Sequence, residues 1–393
     1  MHNRPLNRRE FSKRAVGTIA ALGSLGSVAS ACASLPTAAS IRPDPTPLDA
    51  RRAAALSGAD MAAWRQVAQL ARLVPTPHNT QPFRIRPIDA RTAEIVALGE
   101  RFLPAEDDGN LYMASAFGIM AATIEMAAKA HGLDARVSPV ASLDVAALHT
   151  ATSPTLLGTA SIVGPEDMQV QIPRYARDDN ELLHIRRTSR IPYDGRLVLR
   201  ETWERLAAAT ASHGHQLIEH HDPDVVRRTL RLNVDALLDN LRLTDERREI
   251  QRWYRLGPTP QFGDGLWEKP MNQDSFEIKA AFGSPGFFGL PVVRQVARRD
   301  YLATQRGTRH ILLLHGPFAG WPDLVAAGRA LFGLWIGMAQ AGVYVQPMGS
   351  MLTNPRYAAE VARRFDVTDC WLVMRAGYSA EPPRAPRLAS ILI

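Results

Sequence analysis

The chain is poor in cysteine, with only Cys32 and Cys370 among its 393 residues. Two cysteines cannot supply a disulfide framework, and Cys370 stands in the apolar stretch DCWLVM, where a buried and inert thiol is the usual outcome. Aromatic residues make up 7% of the chain, and no basic stripe is interleaved with them. We therefore expect neither a disulfide scaffold nor a nucleic-acid-binding surface.

The positive charge is small once its distribution is considered. The formal net charge is +7, but residues 1–31 contain five basic residues against one acidic residue and account for four of these charges. The remaining +3 is too little to indicate a nucleic-acid partner. An apolar content of 46% and a charged content of 22% are typical of a soluble globular protein.

Familiar catalytic motifs are also missing. The sequence contains no G-x-S-x-G elbow, no Walker loop and no G-x-G-x-x-G turn. His213, His215, His220 and His221 lie close together, but neither a cysteine nor a coherent fourth ligand accompanies them. We therefore predict no metal site.

The amino terminus carries a targeting pattern. Arg8 and Arg9 are followed by Phe11, Lys13 and a weakly apolar run that ends in small residues. Residues 1–33 resemble a twin-arginine signal, and the run is too short to span a membrane. We predict that the twin-arginine translocation machinery exports the protein to the periplasm. This machinery moves folded proteins, so it suits a chain that takes up a cofactor before export.

The cleavage site has two interpretations. Small residues at 29–31 and 31–33 fit a signal peptidase. Ser30, Ala31 and Cys32 also fit a lipoprotein box with an acylated Cys32, although Ala29 stands where Leu is usual. The mature protein is therefore expected to be either free in the periplasm or tethered to a membrane by a lipid at Cys32.

The rest of the chain predicts an α+β protein with two related halves. Residues 34–49 are rich in proline and indicate a flexible tether. The halves are assigned to 50–178 and 179–393, each with a β-sheet flanked by helices around a buried central helix. The echo between SAFGIM (115–120) and ALFGLW (330–335), each within an apolar helix, supports this duplication.

The stretch 257–290 is unusual for a connection. It is dense in glycine, proline and aromatic residues. A loop of this length is uncommon in a compact domain, and exposed aromatic rings would be costly in water. We predict a lid-like insertion.

Two polar clusters could hold a ligand. Arg186, Arg187, Thr188 and Arg190 supply guanidinium forks and a hydroxyl that suit a phosphate, although arginines also favour the solvated end of a helix. The loop LVPTPHNTQPF (73–83) is stiffened by prolines and carries short amides suited to the edge of a planar heterocycle.

Together, these clusters resemble motifs of the FMN-dependent nitroreductase family. RRTSR resembles the family's basic motif, PTPHNTQPF its PS-x-x-N-x-QPW loop, and RAGYSAEPPRAPR (375–387) its closing segment. Here the loop precedes the basic motif, which resembles a long, fused subfamily in which one chain mimics the usual dimer. The resemblance implies a nitroreductase-like fold with one FMN between the halves, in a protein that is a monomer or a homodimer.

The resemblance also implies roles for particular residues. Arg186, Thr188, Arg384 and Arg387 would hold the phosphate and ribityl chain, assisted by the backbone of Arg187. Arg190 would lie at the pyrimidine edge and stabilise the negative charge that reduction places there. The other matched positions are Pro75, Thr76, Asn79 and Gln81 in the loop, and Pro347, Met348 and Gly349 beside the reactive N5 edge.

The implied function is an exported oxidoreductase that reduces a nitroaromatic, quinone or other small conjugated acceptor by two electrons. Its electron donor is open, because NAD(P)H is scarce outside the cytoplasm. Pro77 replaces a hydroxyl residue of the motif, Phe83 replaces its Trp, and the PMGS segment lacks an acidic residue. The alternative is a non-catalytic protein that stores or sequesters FMN beneath the lid.

Overall fold

The computed structural model describes residues 61–163, 174–259, 262–275, 278, 279, 282 and 290–393, without the side chains of 174–177. The predicted signal at 1–33, Cys32, the tether at 34–49 and parts of the lid at 257–290 lie outside the described residues.

Two four-stranded antiparallel sheets form the framework of the described chain. The strands are β1 Phe83–Pro87, β2 Thr92–Ala97, β3 Asp134–Pro139, β4 Thr155–Val163, β5 Gln216–His220, β6 Tyr254–Arg255, β7 Leu266–Trp267, β8 His310–His315, β9 Tyr344–Pro347 and β10 Cys370–Gly377. The sheet orders are β1-β2-β4-β3 and β5-β8-β10-β9, while β6 and β7 form a small parallel pair. Both large sheets therefore place their fourth strand between the second and the third.

Helices cover these sheets. They are α1 Ala62–Ala71, α2 Leu111–Ala130, α3 Arg174–Ile185, α4 Arg200–Ala211, α5 Pro223–Asn240, α6 Thr244–Trp253, α7 Glu268–Met271, α8 Pro291–Thr304, α9 Trp321–Gln340, α10 Ser350–Thr353 and α11 Pro355–Phe365. The carboxylate of Asp222 accepts the backbone N–H groups of Asp224 and Val225, which caps the start of α5. The predicted α+β class, with two related halves around buried central helices, is confirmed.

Helices α2 and α9 cross at the centre of the molecule. Both contain 20 residues, and Gly118 and Gly328 occupy the same position in each. A Cβ at Gly118 would lie 2.1 Å from the carbonyl oxygen of Val325, and one at Gly328 would lie 1.9 Å from that of Ser115. The two backbones can approach this closely only because both residues lack a side chain.

The two central helices also end alike. Gly132 and Gly342 follow them with φ angles of 72° and 68°. Beyond them, Leu133 N–H donates to the carbonyl of Ala128 and Val343 N–H to that of Met338, each at 2.9 Å. Both ends therefore have the left-handed glycine cap that satisfies the last helical carbonyls.

The echo of SAFGIM and ALFGLW aligns the wrong glycines. It pairs Gly118 with Gly333, whereas the structure pairs Gly118 with Gly328. A Cβ at Gly333 would meet nothing within 4 Å, so that glycine takes no part in the crossing. The arrangement in two halves is consistent with the structure, but the register of the echo is wrong because an Ala-Phe-Gly pattern recurs in any apolar helix.

A helix and the carboxyl-terminal residues connect the two halves across the boundary at 178/179. Helix α3 runs across this boundary and contributes Leu182 and Leu183 to the shared core. The last residues of the chain return to the first half, where Ile85 N–H donates to Ile391 at 2.8 Å and Ile393 N–H donates to Ile85 at 3.0 Å. The carboxyl terminus thus adds a parallel bridge at the β1 edge.

One described helix is long and apolar enough to cross a bilayer. This stretch, Asp108–Ala130, contains α2, and 72% of its most apolar window is buried inside the protein. Its apolar surface therefore packs within the core rather than against lipid.

Candidate functional site

Two arginines from the second half converge on one carbonyl of the first half. Arg186 immediately follows α3, and its Nη2 donates to the Leu73 carbonyl at 2.9 Å. Arg387, in the closing segment, donates Nη2 to the same oxygen at 3.4 Å. The guanidinium of Arg186 also lies 4.8 Å from the ring centre of Trp335 in α9. The basic motif, the closing segment and the start of the loop at 73–83 therefore meet.

The two guanidinium groups lack an internal counter-ion. Among the described residues, no carboxylate lies within ion-pair distance of either Arg186 or Arg387. Burial, with the charge of Arg387, lowers the pKa of Arg186 to about 9. Burial, with the charge of Arg72, lowers the pKa of Arg387 to about 10. Uncompensated buried charge is costly, so this site favours an anion.

An unsatisfied donor indicates the same chemistry. The Nε of Arg387 is buried and has no hydrogen-bond partner in the described part of the chain. Its Nη1 donates to the side-chain oxygen of Asn79 and to the carbonyl of Pro386. Phosphate oxygens accept several charge-assisted hydrogen bonds at once, so the donor set fits a phosphate.

The backbone of the loop at 73–83 is strained. His78, Asn79 and Gln81 have φ angles of 47°, 54° and 50°, which are unusual for residues with side chains. Thr76 Oγ1 accepts the N–H of Gln81 at 3.0 Å and closes the turn, while Pro75 and Pro77 stiffen its entry. Such strain persists only where surrounding contacts hold it, and it is often found at functional sites.

The side-chain amides of the loop hold protein backbone. Asn79 Nδ2 donates to the carbonyls of Gly265 and Pro386, at 3.1 and 2.9 Å. Gln81 Nε2 donates to the Gly263 carbonyl at 2.8 Å, and its Oε1 accepts the Leu388 N–H at 3.1 Å. These amides therefore fix the insertion and the closing segment in place, and the expectation that the loop also contacts a heterocycle stays a prediction.

The remaining residues of the basic motif take separate directions. Arg187 pairs with Glu381 at 2.6 Å and donates to the Pro382 carbonyl at 2.8 Å, so its side chain braces the closing segment. Thr188 forms a parallel bridge with Val345, which places the motif along the edge of β9.

Arg190 lies against the insertion. Its Nη1 donates to the Pro270 carbonyl at 3.4 Å, and its own carbonyl accepts from Asn272 at 3.1 Å. Burial is the largest influence on this group and lowers its pKa. Its positive charge also acts on His78 in the loop, so Arg190 lies on the loop's side of the site.

The segment Pro347–Gly349 follows the end of β9. Met348 is buried, and its N–H donates to the Val373 carbonyl at 2.9 Å. A Cβ at Gly349 would meet nothing within 4 Å, so there is open space beside this backbone. Because Thr188 is bridged to Val345, the segment lies close in the fold to the basic motif.

Arg384 is not drawn into the cluster around Leu73. Its side chain is exposed. It nevertheless contributes to the local positive field, because the pKa of His184 is lowered first by burial and then by Arg384, Arg72 and Arg187. Of Arg384 and Arg387, only Arg387 contacts the loop at 73–83 in the described residues.

Several residues that contact the candidate site were not singled out by the sequence analysis. His78 Nε2 lies 2.9 Å from Glu106, and the pKa of His78 is raised because Glu106 and Glu249 outweigh its burial. Asp264 bridges Arg101 and Arg255 at 2.9 and 2.8 Å in a buried network. The order of these residues along the chain gives no signal, because their partners are far away in sequence.

The described residues contain no group of three or more histidine, cysteine, aspartate or glutamate side chains that could hold a metal. His215 Nδ1 instead accepts from the indole of Trp371 at 3.2 Å, and His221 pairs with Glu219 at 3.1 Å. These histidines have ordinary structural partners.

Comparison with known proteins gives only distant similarities. No family model and no curated protein matches the chain. Among solved structures, an FMN and NADPH-dependent nitroreductase NfnB from Sphigopyxis sp. is 16% identical, covers 53% of this chain and 94% of its own, and has a TM-score of 0.31. NfnB from Mycobacterium smegmatis, solved with NADPH, is 15% identical, with coverages of 55% and 96% and a TM-score of 0.31.

A third structure gives the same result. A nitroreductase with bound FMN from Desulfitobacterium hafniense is 13% identical, covers 52% of this chain and 94% of its own, and has a TM-score of 0.32. Similarities at this level do not by themselves establish a shared function.

Proposed function

We propose that this chain is an FMN-binding oxidoreductase that takes up its cofactor at the junction of its two halves. The observation that carries the proposal is the convergence of Arg186 and Arg387 on the Leu73 carbonyl, with no carboxylate partner in the described residues. Solved nitroreductases with distant similarity contain FMN, and three motifs of the chain resemble that family. These facts support the proposal from different directions.

The residues present fit such a cofactor. Arg186 and Arg387 would hold its phosphate, and the unpaired Nε of Arg387 offers a further donor. Arg190 would place a half-buried cation at the pyrimidine edge, and Pro347–Gly349 would border the reactive edge. Bound FMN would supply hydride transfer through N5. The chain's own part is to position that group, to exclude water and to favour negative charge near Arg190.

Export through the twin-arginine machinery remains part of the proposal. Its support is the order of Arg8, Arg9, Phe11 and Lys13 before a weakly apolar run. A periplasmic location would require a reductant other than NAD(P)H. Acylation of Cys32 would tether the same protein to a membrane.

One observation favours the second candidate function, sequestration of FMN. The insertion contacts the residues assigned to the cofactor: Pro270 and Asn272 bond to Arg190, and Gly263 and Gly265 bond to the loop. A flavin covered in this way would be held but not turned over. Purified FMN-loaded protein should separate the functions, because an oxidoreductase reduced by dithionite is reoxidised by a nitroaromatic, whereas a sequestering protein stays reduced.

The decisive variant is Arg186→Ala combined with Arg387→Ala. We expect the Kd for FMN to rise by about 100-fold or more, because two charge-assisted anchors are lost. Fluorescence titration of the FMN-free protein measures this change. A control pair, Arg200→Ala with Arg227→Ala, removes two exposed arginines elsewhere and should leave the Kd unchanged.

The thermal stability of the cofactor-free double variant supplies a second measurement. A buried and a half-buried cation without counter-ions in the described residues destabilise the empty fold, so their removal should leave the Tm unchanged or raise it. Unchanged FMN affinity together with a lowered Tm would show that these arginines are structural, and the phosphate assignment would be abandoned.

A further inference from the structure

A cavity of about 490 Å³ opens between segments of the two halves. Its wall combines the turn before α2 in the first half, the connection from β8 to α9 in the second half, and the start of β10. This volume is in the range that accommodates small organic molecules. Both halves of the chain therefore contribute to one chamber.

One wall of the cavity is aromatic. Phe318 stacks on Trp371 with ring centres 4.9 Å apart and an angle of 4° between the rings. Tyr112 lies 5.3 Å from Phe318, and all three residues line the cavity. The indole N–H of Trp371 donates to His215 at 3.2 Å, which fixes its ring plane. Such a wall suits a flat aromatic molecule or a cation over a ring face.

The charge of the cavity has one sign. Glu106, Asp107, Asp108 and Asp369 line it, and no lysine, arginine or histidine is among its lining residues. Asp107 accepts the N–H groups that begin α2, and Glu106 lies 2.9 Å from a histidine nitrogen of the loop at 73–83. Asp108 and Asp369 supply the remaining negative charge, with a histidine nitrogen 3.4 Å from Asp369.

These two carboxylates are open to solvent. Asp108 is exposed, and the side chain of Asp369 is 53% exposed, with its Oδ1 3.4 Å from His315 Nδ1. Cys370 also lines the cavity, but burial raises the pKa of its thiol to about 12, so it adds neither charge nor a nucleophile. Negative charge and aromatic surface are thus the chemistry offered to a ligand.

The cavity borders the segments assigned to FMN. Leu352 and Thr353 in its wall belong to α10, the short helix that begins after Pro347–Gly349. On the opposite side, Glu106 contacts His78 of the loop. A molecule in the cavity would therefore lie next to the reactive edge of the proposed cofactor.

We propose that this cavity binds an aromatic molecule that carries a positive charge, and that it excludes anions. Resting on the proposed function, this places the docking site of the electron acceptor here and assigns the acceptor to the cationic aromatic class. The same carboxylates disfavour the phosphates of NADPH, since like charges repel at short range. The chamber thus agrees with a protein that works without a nicotinamide donor.

Binding can be tested without the cofactor. Isothermal titration of the FMN-free protein uses benzyltrimethylammonium, benzyl alcohol and benzoate. These three probes share a benzene ring and carry a positive charge, no charge and a negative charge, respectively. We expect the cation to bind best and benzoate not to bind detectably. Equal binding of cation and anion, or no binding of the cation, overturns the proposal.

Variants then locate the site. Asp108→Asn with Asp369→Asn should weaken binding of the cation by about tenfold, because two partly solvated charges are removed. Phe318→Leu keeps apolar volume but removes a ring face, and should weaken it severalfold. The control Asp224→Asn with Asp245→Asn neutralises two exposed aspartates elsewhere and should have no effect. A control that weakens binding as much as the test pair would contradict the assignment.

A spectral measurement separates this inference from the proposed function. In FMN-loaded protein, benzyltrimethylammonium should shift the flavin absorption bands, and the Asp108→Asn/Asp369→Asn pair should abolish the shift at the same probe concentration. If the protein takes up no FMN, the proposed function fails while the titration still decides the cavity. If the probe binds but shifts nothing, docking of the acceptor beside the flavin is overturned.

Discussion

The two halves share a plan but differ at their first two strands. In the first half, β1 and β2 form a tight hairpin whose turn is held by Asp89 accepting the N–H groups of Arg91 and Thr92. In the second half, the chain leaves β5 and returns at β8 only after helices α5 to α8. The expected insertion at 257–290 is therefore part of a longer connection between β5 and β8, residues 221–309, which we call the excursion.

The approach to the first strand differs as well. The loop at 73–83 precedes β1 and carries the strained residues His78, Asn79 and Gln81. The corresponding approach to β5 is a short turn at Gly214 followed by His215, whose ring bonds to Trp371. The first half thus supplies the loop, and the second half supplies the arginines.

This difference explains why a duplicated plan yields a single candidate site. In a symmetric dimer, each subunit would supply both the loop and the arginines, and two equal sites would result. Here each half has kept one contribution within the described residues. The excursion of the second half then packs on the loop of the first, through Gly263 and Gly265.

The largest effect is expected at the ion network that joins the excursion to the first half. Asp264→Asn removes the carboxylate that pairs with the buried guanidinium of Arg255, and with it one contact of Arg101. We expect the free energy of unfolding to fall by about 3–5 kcal/mol, measured by urea denaturation. Asp245→Asn, at an exposed position, is the control and should change it by less than about 0.5 kcal/mol. A small loss at Asp264 would mean that the excursion is not anchored there.

The crossing of the central helices should give the next largest effect. Gly328→Ala places a Cβ against the carbonyl of Ser115, so the helices must move apart. The expected loss is about 1–3 kcal/mol in the same denaturation experiment. Gly333→Ala, in the same helix but facing open space, should instead stabilise by about 0.5–1 kcal/mol. Equal effects of the two substitutions would contradict the assigned crossing.

A further comparison concerns pH and distinguishes the starts of the two central helices. Asp107 accepts the N–H groups of Tyr112 and Met113 at the start of α2, and burial raises its pKa to about 7. The start of α9 has no side-chain cap at Gly320. Because the folded state holds this proton more tightly, Asp107 lowers the free energy of unfolding as pH rises from about 4 to about 7.

Asp107→Asn should therefore flatten the pH dependence of the Tm across this interval. Measurement between pH 4 and 6 keeps the contribution of His78 small. The pKa of His78 is raised above 6.5, so its stabilisation is lost only as pH rises beyond that value. An identical slope in the variant and the parent protein would show that the buried carboxyl is not responsible.

Much of the fold follows from local sequence patterns. The apolar helices that become α2 and α9 were predicted, and the glycine ends of both helices and the Asp222 cap of α5 likewise arise from residues close to them in sequence. Local signals suffice for these elements because periodicity and capping act within a few residues. The extent of the excursion could not be predicted, since a strand does not specify its partner across nearly a hundred intervening residues.

The candidate site shows the same division. The sequence singled out Arg186, Arg387 and Asn79 as polar groups with a common ligand. It did not show that Arg187 would turn to Glu381, or that the amides of the loop would hold protein backbone. A side chain chooses among partners only after the fold has brought them within reach.

By itself, the sequence determined the α+β class, the duplicated plan, most of the helices and strands, and the polar residues that could bind an anion. Only the tertiary structure decided that Gly118 meets Gly328, that Asp264 joins two arginines, and that an acidic aromatic cavity opens beside the loop. The physical reason is the separation along the chain over which each kind of interaction acts. Burial patterns and caps are set by neighbours along the chain, whereas contacts and charge balance are set by residues that only folding brings together.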